Sequence, residues 1–165
     1  MGEQRTLTAG EIALARAAFG DEIEYDGVTL SDGPGSQPLA HLAFAKGNPA
    51  ITVGSTVYFK ADYCPDFSAP GRNRRSFIHE MTHVWQYGEL GLAAFFLRYG
   101  GDLLRAGGNP DAMYVYTHGE TGFDDAMIEQ QAEMVGDYSN ALWSQNAQGI
   151  ALFTRNMAGS GLYGL

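Results

Sequence analysis

The chain has one cysteine, Cys64. A lone thiol cannot close an internal disulfide, which excludes the disulfide-stapled class of small domains. Basic residues are scarce as well: ten Lys and Arg stand against nineteen Asp and Glu, a formal charge of −9. That sign opposes general attraction to phosphate backbones and anionic lipid surfaces, so neither nucleic acid nor membrane insertion is expected. After Arg105 the only basic residue is Arg155, against Asp111, Glu120, Asp124, Asp125, Glu129, Glu133 and Asp137. Long hydrophobic runs are missing too. Leu90 to Leu97 falls far short of the roughly twenty apolar residues that a membrane span needs. Met1 to Gly20 lacks a basic start followed by an apolar run and a small-residue cleavage site. The expectation is synthesis and folding in a reducing cytoplasm, with export by a route that needs no cleavable signal as the alternative.

What is present is enough core-forming material. Apolar residues make up 45% of 165 and charged residues 18%, which predicts one folded unit over 1–165 rather than a disordered chain. Thr8 and Glu11 stand at capping-box spacing ahead of IALARAAF, and Ile12, Ala15 and Phe19 share a face, so a short first helix is expected. Ile23, Tyr25, Val28 and Leu30 alternate around Asp26-Gly27 and read as a hairpin or strand pair. Ser31 to Pro38 is turn chemistry throughout and reads as a loop. ITVGSTVYF, 51–59, is the strongest strand region, with Gly54-Ser55 as a bulge or tight turn.

From Arg72 no proline occurs until Pro110, which permits long helices. Phe77, Ile78, Met81 and Trp85 at helical spacing predict a helix over Arg74–Tyr87 ending at Gly88, and LGLAAFFLRYGGDLL predicts another. Ile128, Ala132, Val135, Tyr138 and Leu142 mark a long helix from about Asp124 toward Asn156. The glycine-rich tail is expected to fray.

Within the first long helix, residues 79–83 read HEMTH. Residues four apart on a helix project from one face, so the imidazoles of His79 and His83 can hold one tetrahedral ion. Glu80, one step round, then aims a carboxylate at water beside that ion. Two imidazoles hold zinc weakly, so a third protein ligand is required. Metzincin spacing would need Gly and His where this chain has Gln86 and Glu89; Glu89 serves only if the chain bends back at Gly88. Better placed are Glu129 and Glu133, four apart beside the later apolar stripe, one to bind the ion and the other to accept the free N–H of a ligating His. Ala132 and Gly136 let the two helices approach closely.

FIHEMTHVWQ at 77–86 followed by IEQQAEMVGDY at 128–138 resembles zincin metallopeptidases of the gluzincin type. More narrowly, it is similar to small bacterial metallopeptidase-like proteins described as Vgr-related or Rhs-related and associated with secretion systems. The resemblance implies an α+β, zincin-like fold: a small antiparallel or mixed sheet against the HExxH helix, with a long C-terminal helix supplying the third ligand. By position it implies His79, His83 and Glu129 as ligands of one Zn2+, Glu80 as general base and Glu133 as the acid behind a histidine. Many gluzincins have Asp at the position of Glu133, and a rival register uses Glu133 as ligand with Asp137 behind it.

The expected activity is zinc-dependent hydrolysis of peptide bonds, on a peptide or protein substrate and with a secretion-apparatus protein as partner. The alternative is a non-catalytic assembly or adaptor module with a structural metal. Tyr114, Tyr116 and His118 are all available as oxyanion donors, and the 51–59 strand offers an edge for an extended peptide. Arg72, Arg74 and Arg75 read as a solvated basic cluster. His41 and His118 lack partners at ligand spacing.

Overall fold

A computed structural model describes residues 3–165. A short strand β1 (Gln4–Thr6) leads into helix α1 (Ala9–Phe19). The expected capping box is formed: Thr8 Oγ1 accepts from Glu11 N at 3.1 Å, and the Glu11 carboxylate accepts from Thr8 N at 2.8 Å. The hairpin expected over 23–30 is not. Tyr25–Gly27 is a 3-10 turn, because the buried Tyr25 ring sends its hydroxyl back to Gly20 O at 2.7 Å and holds the chain in a tight bend. Only Thr29–Asp32 is strand, β2. The Ser31–Pro38 stretch is therefore divided: it closes β2, turns, and gives Pro38 to the first turn of an unexpected helix, α2 (Pro38–Ala45), where its fixed φ and missing N–H cost nothing.

The 51–59 region is a hairpin of β3 (Ala50–Val53) and β4 (Thr56–Phe59). Gly54 takes φ 63°, the left-handed value that a two-residue turn requires. The four-stranded sheet has order β1-β2-β4-β3 and is mixed: β2 and β4 run parallel, the outer pairs antiparallel. β3 is an edge strand.

Helix α3 (Arg74–Leu90) packs on β3 and β4. Asn73 starts it by accepting from Ser76 N, and Gly91 at φ 76° ends it, so it runs through Gly88 and leaves Glu89 exposed. A stack of Phe59, Phe67 and Phe77, with ring centroids 4.8 and 5.4 Å apart, joins sheet to helix. These rings are fully buried, and truncating one to alanine costs about 3–5 kcal/mol.

Helix α4 (Leu92–Arg105) follows, then α5 (Ile128–Trp143) and α6 (Ala147–Met157). The single long C-terminal helix expected is thus two. Gln145 sits at φ 53° and Asn146 caps α6 through Gly149 N, which breaks the run after Trp143. The tail docks rather than frays: Leu162 is buried and the Tyr163 hydroxyl bonds Ser139 of α5. Among the described residues no helix is long and apolar enough to cross a membrane.

Candidate metal centre

α3 and α5 pack together more extensively than any other pair of elements. Gly136 shows how close they come. A Cβ placed there would meet Arg75 Cγ at 3.3 Å. At the start of α5, Asp102 of α4 accepts from Ile128 N at 2.9 Å and Gln130 accepts from Met127 N at 2.8 Å. These bonds satisfy donors that a helix start otherwise leaves open, and they fix the first turn, which carries Glu129.

The facing side chains form an antiparallel ladder. Arg75, His79 and His83 descend α3 at four-residue steps while Asp137, Glu133 and Glu129 ascend α5 at the same step. Arg75 bonds Asp137 and Glu133, His79 lies against Glu133 and Glu129, and His83 lies against Glu129. His79 Nε2, His83 Nε2 and Glu129 Oε2 form a triangle with edges of 3.2, 3.2 and 3.1 Å. Ligands about 2.0–2.1 Å from a tetrahedral zinc are about 3.3 Å from one another, so the triangle fits such an ion with little adjustment. All three residues are buried.

The far side of each ring fixes which nitrogen is free. Gln86 donates its amide N–H to Ile128 O and to Gln131 Oε1, so its Oε1, 2.8 Å from His83 Nδ1, accepts the ring proton. His83 Nε2 then carries a lone pair. His79 Nδ1 lies 2.9 Å from Glu133 Oε1. The approach is close in distance but out of line for a well-formed hydrogen bond, and Nδ1 has no other partner. A charge contact of this kind still favours the proton on Nδ1 and leaves Nε2 as the acceptor. With each ring's proton on Nδ1, three lone-pair atoms converge on one point, the arrangement that a divalent cation would need.

Without an ion, the carboxylates draw protons onto the rings instead. Burial disfavours charge on His79, but the Glu129 and Glu133 carboxylates facing its two ring nitrogens outweigh it and push its pKa up to about 10. Burial likewise opposes charge on His83, and Glu129 overrides it in the same direction. Glu129 is held well below the usual carboxylate range despite its burial, by His83 and His79. Glu133 is pulled down to about 2 against its own desolvation, by His79 and Arg75.

Glu80 is buried beside the triangle, and its Oε2 accepts from Thr52 Oγ1 at 2.7 Å. Thr52 lies on the β3 edge, and Tyr87 closes the contact by donating to Thr52 O at 3.4 Å. Above these residues opens a cleft of about 220 Å³ lined by Ala50, Ile51 and Thr52 of β3, with Leu39, Leu42, Phe96 and Tyr114 among its walls.

The structure brings His79, Glu80, His83 and Glu129 to this cleft, with Glu133 behind His79. Asp137 faces Arg75, not the triangle, and Glu89 points to solvent. Of the three oxyanion candidates, only Tyr114 lines the cleft, its ring stacked at 6.1 Å on His79. Tyr116 is spent on Asp137 Oδ2 at 2.6 Å, and the His118 ring packs between Tyr116 and Phe153. His41 bonds Gly35 O, away from the centre. Arg75 is not a solvated charge, and Thr52, Gln86, Gln131 and Asp102 are buried participants that sequence reasoning missed. Gln86 alone had a local signal, three residues after the second histidine of the HExxH pattern; the other three meet their partners through the fold.

An eCIS core domain model matches residues 8–91, which contain His79, Glu80 and His83 but not Glu129. The chain is 32% identical over 146 residues to the type VI secretion system spike protein VgrG2b of Pseudomonas aeruginosa, covering 81% of this chain and 13% of that protein. The chain thus spans about an eighth of this relative. The solved effector domain of Pseudomonas aeruginosa VgrG2b aligns with a TM-score of 0.61 at 29% identity, over 94% of this chain and 82% of the domain.

Proposed function

The chain belongs to the eCIS core domain family, and on that premise we propose that it is a gluzincin-like zinc peptide hydrolase acting as an effector domain of a bacterial secretion system. The observation that carries this reading is the convergence of His79 Nε2, His83 Nε2 and Glu129 Oε2 within 3.2 Å at the foot of an open cleft, with Glu80 alongside. A structural zinc site is ordinarily closed by four protein ligands, whereas three with an adjacent carboxylate suit a catalytic one.

His79, His83 and Glu129 would hold the zinc, which when bound would supply Lewis-acid polarisation of an amide carbonyl and acidify water at the site. The remaining work falls to the chain. Glu80, oriented by the Thr52 hydroxyl, accepts a proton from the attacking water and delivers it to the departing amine, so a C–O bond forms as the C–N bond breaks. Tyr114 is positioned to donate to the carbonyl oxygen as it gains charge. The β3 edge offers main-chain groups to an extended peptide. The exposed Leu39, Leu42, Phe96 and Tyr114 in the walls suit a substrate with bulky apolar side chains.

The test is metal analysis of freshly purified protein together with a Glu80→Gln variant assayed on a peptide library. Cleavage by the wild type, and its loss in the variant with zinc retained, is expected. Bound zinc with no cleavage by either form would favour the adaptor module instead, and protein that takes up no zinc would remove both.

A further inference from the structure

The ladder between α3 and α5 has one rung more than a three-ligand site needs. Arg75, one turn ahead of His79, reaches both acids opposite it. Its Nη2 donates to Glu133 Oε2 at 2.5 Å and to Asp137 Oδ1 at 2.7 Å, and its Nε donates to Asp137 Oδ1 at 2.9 Å. Asp137 is held from its other side by the Tyr116 hydroxyl. Glu133 is held on one oxygen by Arg75 and presents the other to His79 Nδ1. The result is one connected line, Tyr116–Asp137–Arg75–Glu133–His79, ending on a ligand imidazole.

We propose that Arg75 is a positioning residue of the metal centre: acting through Glu133, it fixes the His79 ring so that Nε2 faces the ion in one orientation and one tautomer. This inference rests on the zinc reading of the site. Three observations support it. Glu133 has two rotatable bonds beyond its Cβ, and its contact with His79 is out of line for a strong hydrogen bond, so His79 alone does not lock it. The guanidinium fork can bridge two carboxylates at once, which an ammonium point charge does less well. Gly136 leaves the Arg75 stem room to lie flat against α5, where a Cβ would crowd it at 3.3 Å.

A merely structural ion pair would alter thermal stability and leave metal affinity alone. With side chains 33% and 21% exposed, Arg75 and Glu133 would as a pair contribute little even there. The deciding measurement is zinc affinity of the full chain by competition with a chromophoric chelator. Arg75→Met keeps the aliphatic stem and is expected to bind zinc about 10–100-fold more weakly, the range for loss of a residue that orients a ligand. Arg75→Lys, which retains the charge and guards against a folding defect, should fall between Met and wild type. Glu133→Gln should weaken binding in the same range as Arg75→Met, and the double variant Arg75→Met/Glu133→Gln should be no weaker than Glu133→Gln alone. Wild-type affinity in both Arg75 variants, or losses that simply multiply in the double variant, would overturn the proposal. A wild-type protein that binds no zinc would instead overturn the reading beneath it.

Discussion

Two buried glutamates, Glu11 and Glu129, sit in the same molecule and are treated in opposite ways. Glu11 is surrounded by donors. Arg5 Nη1 and Thr8 N reach one oxygen, Arg5 Nη2 and Phe67 N the other, all within 2.8 Å. Every acceptor site is used, and the cluster is closed. Glu129 faces two imidazole nitrogens whose role as donor or acceptor depends on the proton each ring carries, beside a cleft open to solvent. The contrast separates a carboxylate saturated by fixed donors from one in a cluster that could hold a cation. Burial alone does not distinguish them; the character of the neighbours does.

The same substitution at both positions should break the comparison most sharply. Glu129→Gln is expected to reduce zinc from about one ion per chain to below a tenth, while the metal-free protein melts within about 3 °C of wild type. The Gln carbonyl can still accept from a protonated imidazole and its amide N–H can donate to a neutral one, so hydrogen bonds across the site survive the change. Elemental analysis and calorimetry check this, and retained zinc would remove Glu129 from the ligand set. Glu11→Gln should do the reverse. Its amide nitrogen must face donors only, so a loss of about 3 kcal/mol is expected, the lower end for a broken buried pair because Arg5 reaches solvent. For a chain of this length that lowers the melting temperature by roughly 6–12 °C, with zinc unchanged.

Next in size, Gln86→Ala removes the acceptor that fixes the His83 tautomer and should weaken zinc binding about 10–100-fold in a chelator competition. Chelation of the wild type should lower its stability by about 2.7 kcal/mol relative to protein held at a hundred times the dissociation constant of zinc. A melting curve indifferent to chelator would contradict an ion at this site. The smallest effect belongs to Asp66, which accepts from Ser68 and Thr8 near Glu11 and is held below its usual pKa chiefly by the Ser68 hydroxyl. A depressed carboxyl contributes stability that is present above its unfolded value of about 3.9 and lost as pH falls toward the folded one. Asp66→Asn should therefore lower stability slightly near neutrality and flatten the acid limb, the gap between variant and wild type closing as pH falls below about 4.

What could be read in the chain was whatever local spacing encodes. The Thr8–Glu11 box, the HExxH face of α3 and the four-residue step from Glu129 to Glu133 needed only helical geometry. Misreadings arose where a local pattern had two solutions. Alternation at Ile23–Leu30 suited strands until Tyr25 found Gly20 O, and the apolar stripe through Leu142 continued on paper past a left-handed Gln145. Helix α2 was hidden behind turn-forming residues that serve as its approach. Arg75 was read as solvated because its partners lie 58 and 62 residues away. Thr52 and Asp102 gave no signal for the same reason, since a buried polar side chain takes its meaning from a neighbour that only the tertiary fold supplies.

The distance along the chain between His83 and Glu129 has a mechanical consequence. An ion gripping both closes a loop of 46 residues. In the chain-entropy treatment of cross-links, a closure of that length removes roughly 4 kcal/mol of freedom from the unfolded polypeptide. A protein whose single thiol can form no internal bridge would thus obtain from a reversible, chelator-sensitive fastener the kind of restraint that disulfides give to oxidised domains.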